Sequence, residues 1–117
     1  MQRVLIVDDS AVARRALATR LGASGWETVA EATTARALAL SLDDVACAVL
    51  DLDLGDGDGV TLAKALRAKH PALRIAFFSG TVETELVERA HALGPVFSKP
   101  DDVEGLVAWV TEAANGS

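Results

Sequence analysis

Five short apolar runs, each followed by a longer segment of helical period, restrict this chain more than any other feature it has. The runs fall at residues 4–7, 28–32, 46–50, 75–78 and 96–97, and the first, third and fourth are almost unbroken aliphatic or aromatic residues. A strand that reads as continuously apolar must be covered on both faces. Such strands alternating with helices predict an open parallel sheet flanked by helices. The helical segments are expected at residues 11–22, 34–42, 60–69, 83–93 and 103–114, and their apolar positions keep the helical repeat. Leu62, Ala63 and Leu66 share one face, Leu86, Ala90 and Leu93 another, and Val103, Leu106, Val107 and Val110 form an i, i+3, i+4, i+7 stripe. Asp101 followed by Glu104 reads as a capping box that opens the last helix. Right-handed crossovers then give a doubly wound α/β fold whose ligand crevice lies at the carboxyl ends of the strands, and of its common strand orders 2-1-3-4-5 is the one expected here.

At 117 residues the chain can bury roughly two-thirds of its unfolded surface, so it needs no disulfide framework. Its lone cysteine, Cys47, sits inside the third apolar run and reads as a small buried hydrophobe of a reducing compartment. Acidic residues outnumber basic ones 17 to 11, for a net charge of -6. That balance opposes a phosphate backbone and argues against stand-alone nucleic-acid binding. No apolar run approaches the roughly 20 residues of a membrane span, and Met1 leads into Arg3 and the first strand without a signal-peptide core. A cytoplasmic protein with no membrane segment is expected. Met1 reads as a natural beginning and residues 115–117 as a free end; no internal repeat or linker divides the chain.

Polar chemistry collects at one edge of the expected sheet. The first run ends in Asp8-Asp9, the third in Asp51, the fourth in Ser79-Gly80-Thr81 and the fifth in Ser98-Lys99-Pro100. Singly, each reads as a connector or a cap: Asp8 or Ser10 could cap the helix that follows. In the order 2-1-3-4-5, however, strands one, three, four and five are neighbours, so three carboxylates, a hydroxyl and an ammonium converge on one crevice. Mg2+ takes oxygen ligands and keeps several waters, and Asp8, Asp9 and Asp51 can supply such a cradle. Phosphoryl transfer asks the protein for positioning and charge neutralisation, roles that Lys99, Ser79 and the Gly80 amide fit. Without a cation the three acids should strain one another: two charges 4 Å apart at an effective dielectric near 20 repel by up to roughly 4 kcal/mol. His70 and His91 fall in helical segments away from the acids and read as surface or packing residues.

These motifs, Val-Leu-Ile-Val-Asp8-Asp9-Ser10, Leu50-Asp51-Leu52-Asp53-Leu54-Gly55-Asp56-Gly57-Asp58-Gly59, Phe78-Ser79-Gly80 and Lys99-Pro100, resemble the receiver domain of two-component response regulators. The resemblance covers residues 1–117 as a single receiver domain. It implies that Asp51 takes a phosphoryl group from a phosphohistidine on a histidine kinase or phosphotransfer protein. Asp9, with Asp8 partly through water, would hold Mg2+, and the backbone carbonyl of Asp53 would complete the metal site. Ser79 and Lys99 would bind the new phosphoryl oxygens, and a downstream protein would read the change. No multiple-turnover substrate is expected.

Several positions depart from that family's pattern. Val96 stands where an aromatic is usual three residues before the lysine, and Phe97 points to the opposite face by strand alternation. Gly55 stands where proline is common, which loosens the loop after Asp51, and Gly57-Asp58-Gly59 signals a turn into the third helix. Gly94 lies closer to Lys99 than usual, and Asp101 replaces an apolar residue. Trp109 falls off the stripe of the last helix, as a partner anchor or packed against the fourth helix. Two other functions compete. Asp51-Leu52-Asp53 resembles the Asp-x-Asp of haloacid-dehalogenase-type phosphatases, with Asp51 as nucleophile and Asp53 as general acid. A receiver-like binding module regulated without phosphate is the second.

Overall fold

Residues 3–81 and 83–115 are described by a computed structural model. Strands β1 (Arg3–Val7), β2 (Glu27–Glu31), β3 (Val45–Leu50), β6 (Arg74–Ser79) and β7 (Val96–Ser98) form one parallel sheet in the order β2-β1-β3-β6-β7. Counted among the sheet strands alone, that is the expected 2-1-3-4-5. Two further strands, β4 (Asp53–Leu54) and β5 (Gly57–Asp58), make a two-residue antiparallel hairpin in the loop after Asp51. The helices are α1 (Ala11–Ala23), α2 (Thr34–Ala39), α3 (Gly59–Lys69), α4 (Thr84–His91) and α5 (Val103–Asn115).

Strand alternation sorts the core into two layers. Leu5, Val7, Ala48, Leu50, Ile75 and Phe77 face α2, α3 and α4, where they meet Ala37, Leu62, Leu66 and Ala90. Val4, Ile6, Cys47, Val49, Ala76 and Phe78 face α1 and α5, against Leu17, Leu21, Leu106 and Val110. Successive residues of each central strand thus serve opposite layers, which is why the runs are apolar throughout. Val96 joins the first layer and Phe97 the second, as alternation requires. Trp109 is half-buried and packs against the second layer, which draws on α1, α5 and the sheet.

Boundaries differ where local hydrogen bonding outweighs periodicity. The second helix stops at Ala39 because Leu40 turns extended (φ -75°, ψ 148°), and Leu42 reaches the core from outside the helix. The fourth runs only from Thr84 to His91, and β2 ends at Glu31. The last helix starts at Val103, so the residue before it is Asp102, whose carbonyl accepts the Leu106 N–H at 3.1 Å. Three residues beyond Asp102 stands Gly105, not Glu104, so the capping box at Asp101 does not form. Asn115 closes α5 rather than belonging to a free end, and residues 116–117 lie outside the described residues.

Cys47 is fully buried, and burial pushes its thiol from 9.0 up to about 12. The folded pKa exceeds the unfolded one, so this contribution to stability is complete below about pH 9 and is lost as pH rises toward 12, at up to about 1.4 kcal/mol per pH unit. The chain has no tyrosine to obscure that window. Between pH 8 and pH 10.5, urea unfolding should show wild type losing about 2 kcal/mol more than Cys47→Ala. Equal losses would mean that the thiol ionises freely in the fold.

Candidate functional site

Each polar residue is delivered by the end of a sheet strand. Asp8 follows β1, its N–H donating to the Glu31 carbonyl at 3.1 Å; Asp51 follows β3, its N–H donating to the Val7 carbonyl at 2.9 Å. Ser79 is the last residue of β6, and its carbonyl accepts the Lys99 N–H from the end of β7 at 3.1 Å. These backbone bonds continue the ladders just past the strands and fix the spacing of four side chains. Lys99 and Pro100 are joined by a cis peptide bond.

Asp51 is the hub. Its Oδ1 accepts the Ser79 hydroxyl at 2.8 Å and the Asp53 N–H at 3.3 Å, while its Oδ2 accepts from Lys99 Nζ at 3.0 Å. Lys99 Nζ also donates to Asp8 Oδ2. Asp8 Oδ1 accepts the Ser10 N–H at 2.9 Å, and Ser10 caps α1 through the Ala13 N–H at 3.2 Å. Asp8 therefore shapes the entry to the helix with one oxygen and holds Lys99 with the other; the cap itself is Ser10. Asp8 and Asp51 are 5% and 9% exposed, whereas Asp9 is exposed at the mouth. Carboxylate oxygens of Asp8, Asp9 and Asp51 lie within 4.8 Å of one another.

The ammonium of Lys99 changes the electrostatics expected from three acids alone. Burial pulls its pKa down, but the carboxylates of Asp8 and Asp51 outweigh burial and hold it above the ordinary lysine value. The metal-free cluster is thus two carboxylates bridged by a cation with a third at the rim, rather than three unscreened acids. Asp9, Asp51, Asp53, Ser79, Gly80, Thr81 and Lys99 line an open cleft of about 370 Å3. All the expected site residues meet there except Asp8, which lies beneath and touches it through Lys99. Neither His70 nor His91 lines it; they sit at the C-terminal ends of α3 and α4.

Three residues in or near the site were given no role of their own by the sequence, although Thr81 belongs to the polar end of the fourth run. Arg14 Nη1 donates to the Asp8 carbonyl at 2.8 Å, a contact from the second turn of α1 that only the folded geometry creates. The Thr81 N–H donates to Ser79 Oγ at 3.3 Å. Asp56 reaches from the hairpin to the start of α2, with Oδ1 accepting the Thr34 N–H at 3.1 Å and Oδ2 the Thr34 hydroxyl at 2.9 Å. An acid between two glycines, in a loop that already holds a key acid, is the one sequence signal that could have marked it.

Comparison with known proteins is consistent with this geometry. The family described as "Response regulator receiver domain" matches residues 4–111. The chain is 34% identical over 89 residues to the sensor protein TorS of Escherichia coli, covering 74% of this chain and 10% of that protein. It is 31% identical over 106 residues to the photosynthetic apparatus regulatory protein RegA of Rhodobacter capsulatus, covering 88% and 58%. The chain thus spans a tenth to about three-fifths of these relatives' lengths. A response regulator receiver domain protein (CheY-like) from Methanospirillum hungatei superposes with a TM-score of 0.88 at 23% identity, over 98% of this chain and 94% of that one.

Proposed function

The chain belongs to the response regulator receiver domain family of two-component signalling, and on that footing we propose that Asp51 accepts a phosphoryl group from a phosphohistidine on a histidine kinase or phosphotransfer protein. The observation that carries the reading is the dressing of Asp51. One oxygen holds the Ser79 hydroxyl, the other holds Lys99, and all three residues line the cleft.

In the transfer, an Asp51 carboxylate oxygen attacks phosphorus in line, the P–N bond breaks, and its electron pair leaves with the imidazole. The product on this chain is an acyl phosphate. Ser79 and Lys99, which donate to Asp51 beforehand, turn to the phosphoryl oxygens, and the exposed Gly80 amide adds a donor. Asp8, Asp9 and Asp51 offer a clustered set of hard oxygen donors, which fits Mg2+. Asp8, Asp9, Asp51 and the Asp53 carbonyl would hold it, and when bound it would neutralise charge on the transferred group. Residues 1–117 act as one receiver unit in the cytoplasm; among the described residues no helix is long and apolar enough to cross a membrane. The downstream partner is a protein, and the net charge of -6 disfavours direct nucleic-acid contact.

A small acyl-phosphate donor with Mg2+ tests the reading against the phosphatase alternative. One alkali-labile phosphoryl group per chain is expected, with no sustained turnover of a phosphomonoester. Continuous release of phosphate from such an ester would favour Asp51 and Asp53 as a hydrolytic pair.

A further inference from the structure

The loop from Asp51 to Gly59 must hold its backbone still if Asp53 is to offer a carbonyl, yet Gly55 and Gly57 give it unusual freedom. Leu52 and Leu54 anchor it below, in the core. Above, Asp58 caps α3 by accepting the Thr61 N–H at 2.8 Å, a tie to the helix that follows directly. Among the described residues, the side-chain hydrogen bonds that carry residues 53–58 across to a distant segment all belong to Asp56.

Those bonds finish another helix. A helix leaves its first N–H groups without intrahelical partners. In α2 the Arg36 N–H is taken by Thr33 Oγ1 at 3.1 Å, the Thr34 N–H by Asp56 Oδ1 at 3.1 Å, and the Ala35 N–H more loosely by Asp56 Oδ2 at 3.4 Å. Six residues are too few for such a helix to persist without tertiary support. The methyl of Thr34 lies 3.5 Å from where a Cβ on Gly57 would stand, so the two segments are also in close contact. The bonds to Thr34 and Ala35 hold the Asp56 carboxyl below its usual range. One carboxylate therefore fastens the tip of the acceptor loop to a helix 22 residues away.

We infer that Asp56 is a positioning residue of the acceptor loop: its clamp on Thr34 and Ala35 supplies the rigidity that Gly55 and Gly57 withhold and sets the Asp53 backbone for the cation. The inference rests on the receiver reading of the loop and adds a residue to it.

Mg2+ binding by calorimetry and amide exchange at residues 53–57, on the full chain, test it. Asp56→Ala should weaken Mg2+ by roughly 3- to 10-fold and speed exchange in the hairpin, with labelling at saturating Mg2+ preserved. Thr34→Val, which removes only the hydroxyl leg, should give a smaller change in the same direction. Asp56→Asn keeps an acceptor for the Thr34 N–H and loses the charge, so it should stay nearer wild type than alanine does. If asparagine costs as much as alanine, the carboxylate acts by charge alone and the clamp is refuted. Unchanged Mg2+ affinity in Asp56→Ala, beside a wild type that binds Mg2+ and is labelled, overturns the inference and leaves the function standing. A wild type that neither binds Mg2+ nor is labelled overturns both.

Discussion

Lys99→Ala should destabilise the metal-free protein by about 2–4 kcal/mol, a cost that Mg2+ largely removes. The lysine head sits between two carboxylates whose side chains are only 7% and 10% exposed. Removing it leaves two neighbouring buried anions without a counter-charge, and the penalty of an uncompensated buried charge exceeds the worth of the pair itself. Lys99 keeps 20% of its side chain in solvent, so the figure is set below that for a fully enclosed pair. A divalent cation held by Asp8, Asp9 and Asp51 would supply positive charge to the same carboxylates. In urea unfolding at pH 7, the gap between wild type and variant should at least halve when EDTA is replaced by saturating Mg2+. Asp51→Asn combined with Lys99→Ala should be more stable in EDTA than Lys99→Ala alone, because one of the stranded charges is gone. A loss below about 0.5 kcal/mol, typical of an exposed ion pair, together with insensitivity to Mg2+, would show that Asp8 and Asp51 are well solvated and the cluster loose.

Gly59→Ala should cost about 2–3 kcal/mol and slow phosphoryl acceptance in the molecules that remain folded. A Cβ at this first residue of α3 would be driven into the Asp51 carbonyl oxygen, with the Leu52 Cα 3.1 Å away on the same side. Both obstacles are backbone, so no rotamer change relieves them. Moving the strand end displaces Asp51 from Ser79 and Lys99, which couples the stability loss to the site. Gly22→Ala makes the contrast. Gly22 lies in α1 with nothing within 4 Å of its would-be Cβ, and alanine there should stabilise by about 0.5–1 kcal/mol. If both substitutions shift the urea midpoint alike, the close approach at Gly59 is not real.

That pair also shows how far the sequence could be read. Gly57-Asp58-Gly59 announces a turn, and a turn is there, but Gly59 is glycine because the Asp51 carbonyl crosses its face. Its φ is not positive; among the described residues only Gly25 has that property. Periodicity identified the strands because each central strand feeds two core layers, a pattern visible residue by residue; their order came from the expected doubly wound topology, which the sheet follows. It placed the ends of α2 and α4 poorly, since α2 stops at a backbone turn at Leu40 and α4 starts without a side-chain cap and closes where the Leu93 and Gly94 N–H groups both turn back to the Ala90 carbonyl. The convergence of Asp8, Asp9, Asp51, Ser79 and Lys99 was legible because each ends or follows a strand, and strand order alone brings them together. The bonds of Arg14 to Asp8 and of Asp56 to Thr34 were not, because they depend on how a helix or loop packs across the sheet edge rather than on spacing along the chain.

The most direct measurement of the central claim is mass spectrometry of wild type and Asp51→Asn after incubation with an acyl-phosphate donor and Mg2+. The account predicts one added phosphoryl group on wild type, mapped to the peptide containing Asp51 and lost in alkali or when EDTA replaces Mg2+ during labelling, and none on Asp51→Asn. An alkali-labile adduct at wild-type yield on the asparagine variant, or a wild-type adduct mapped to another residue, would contradict it.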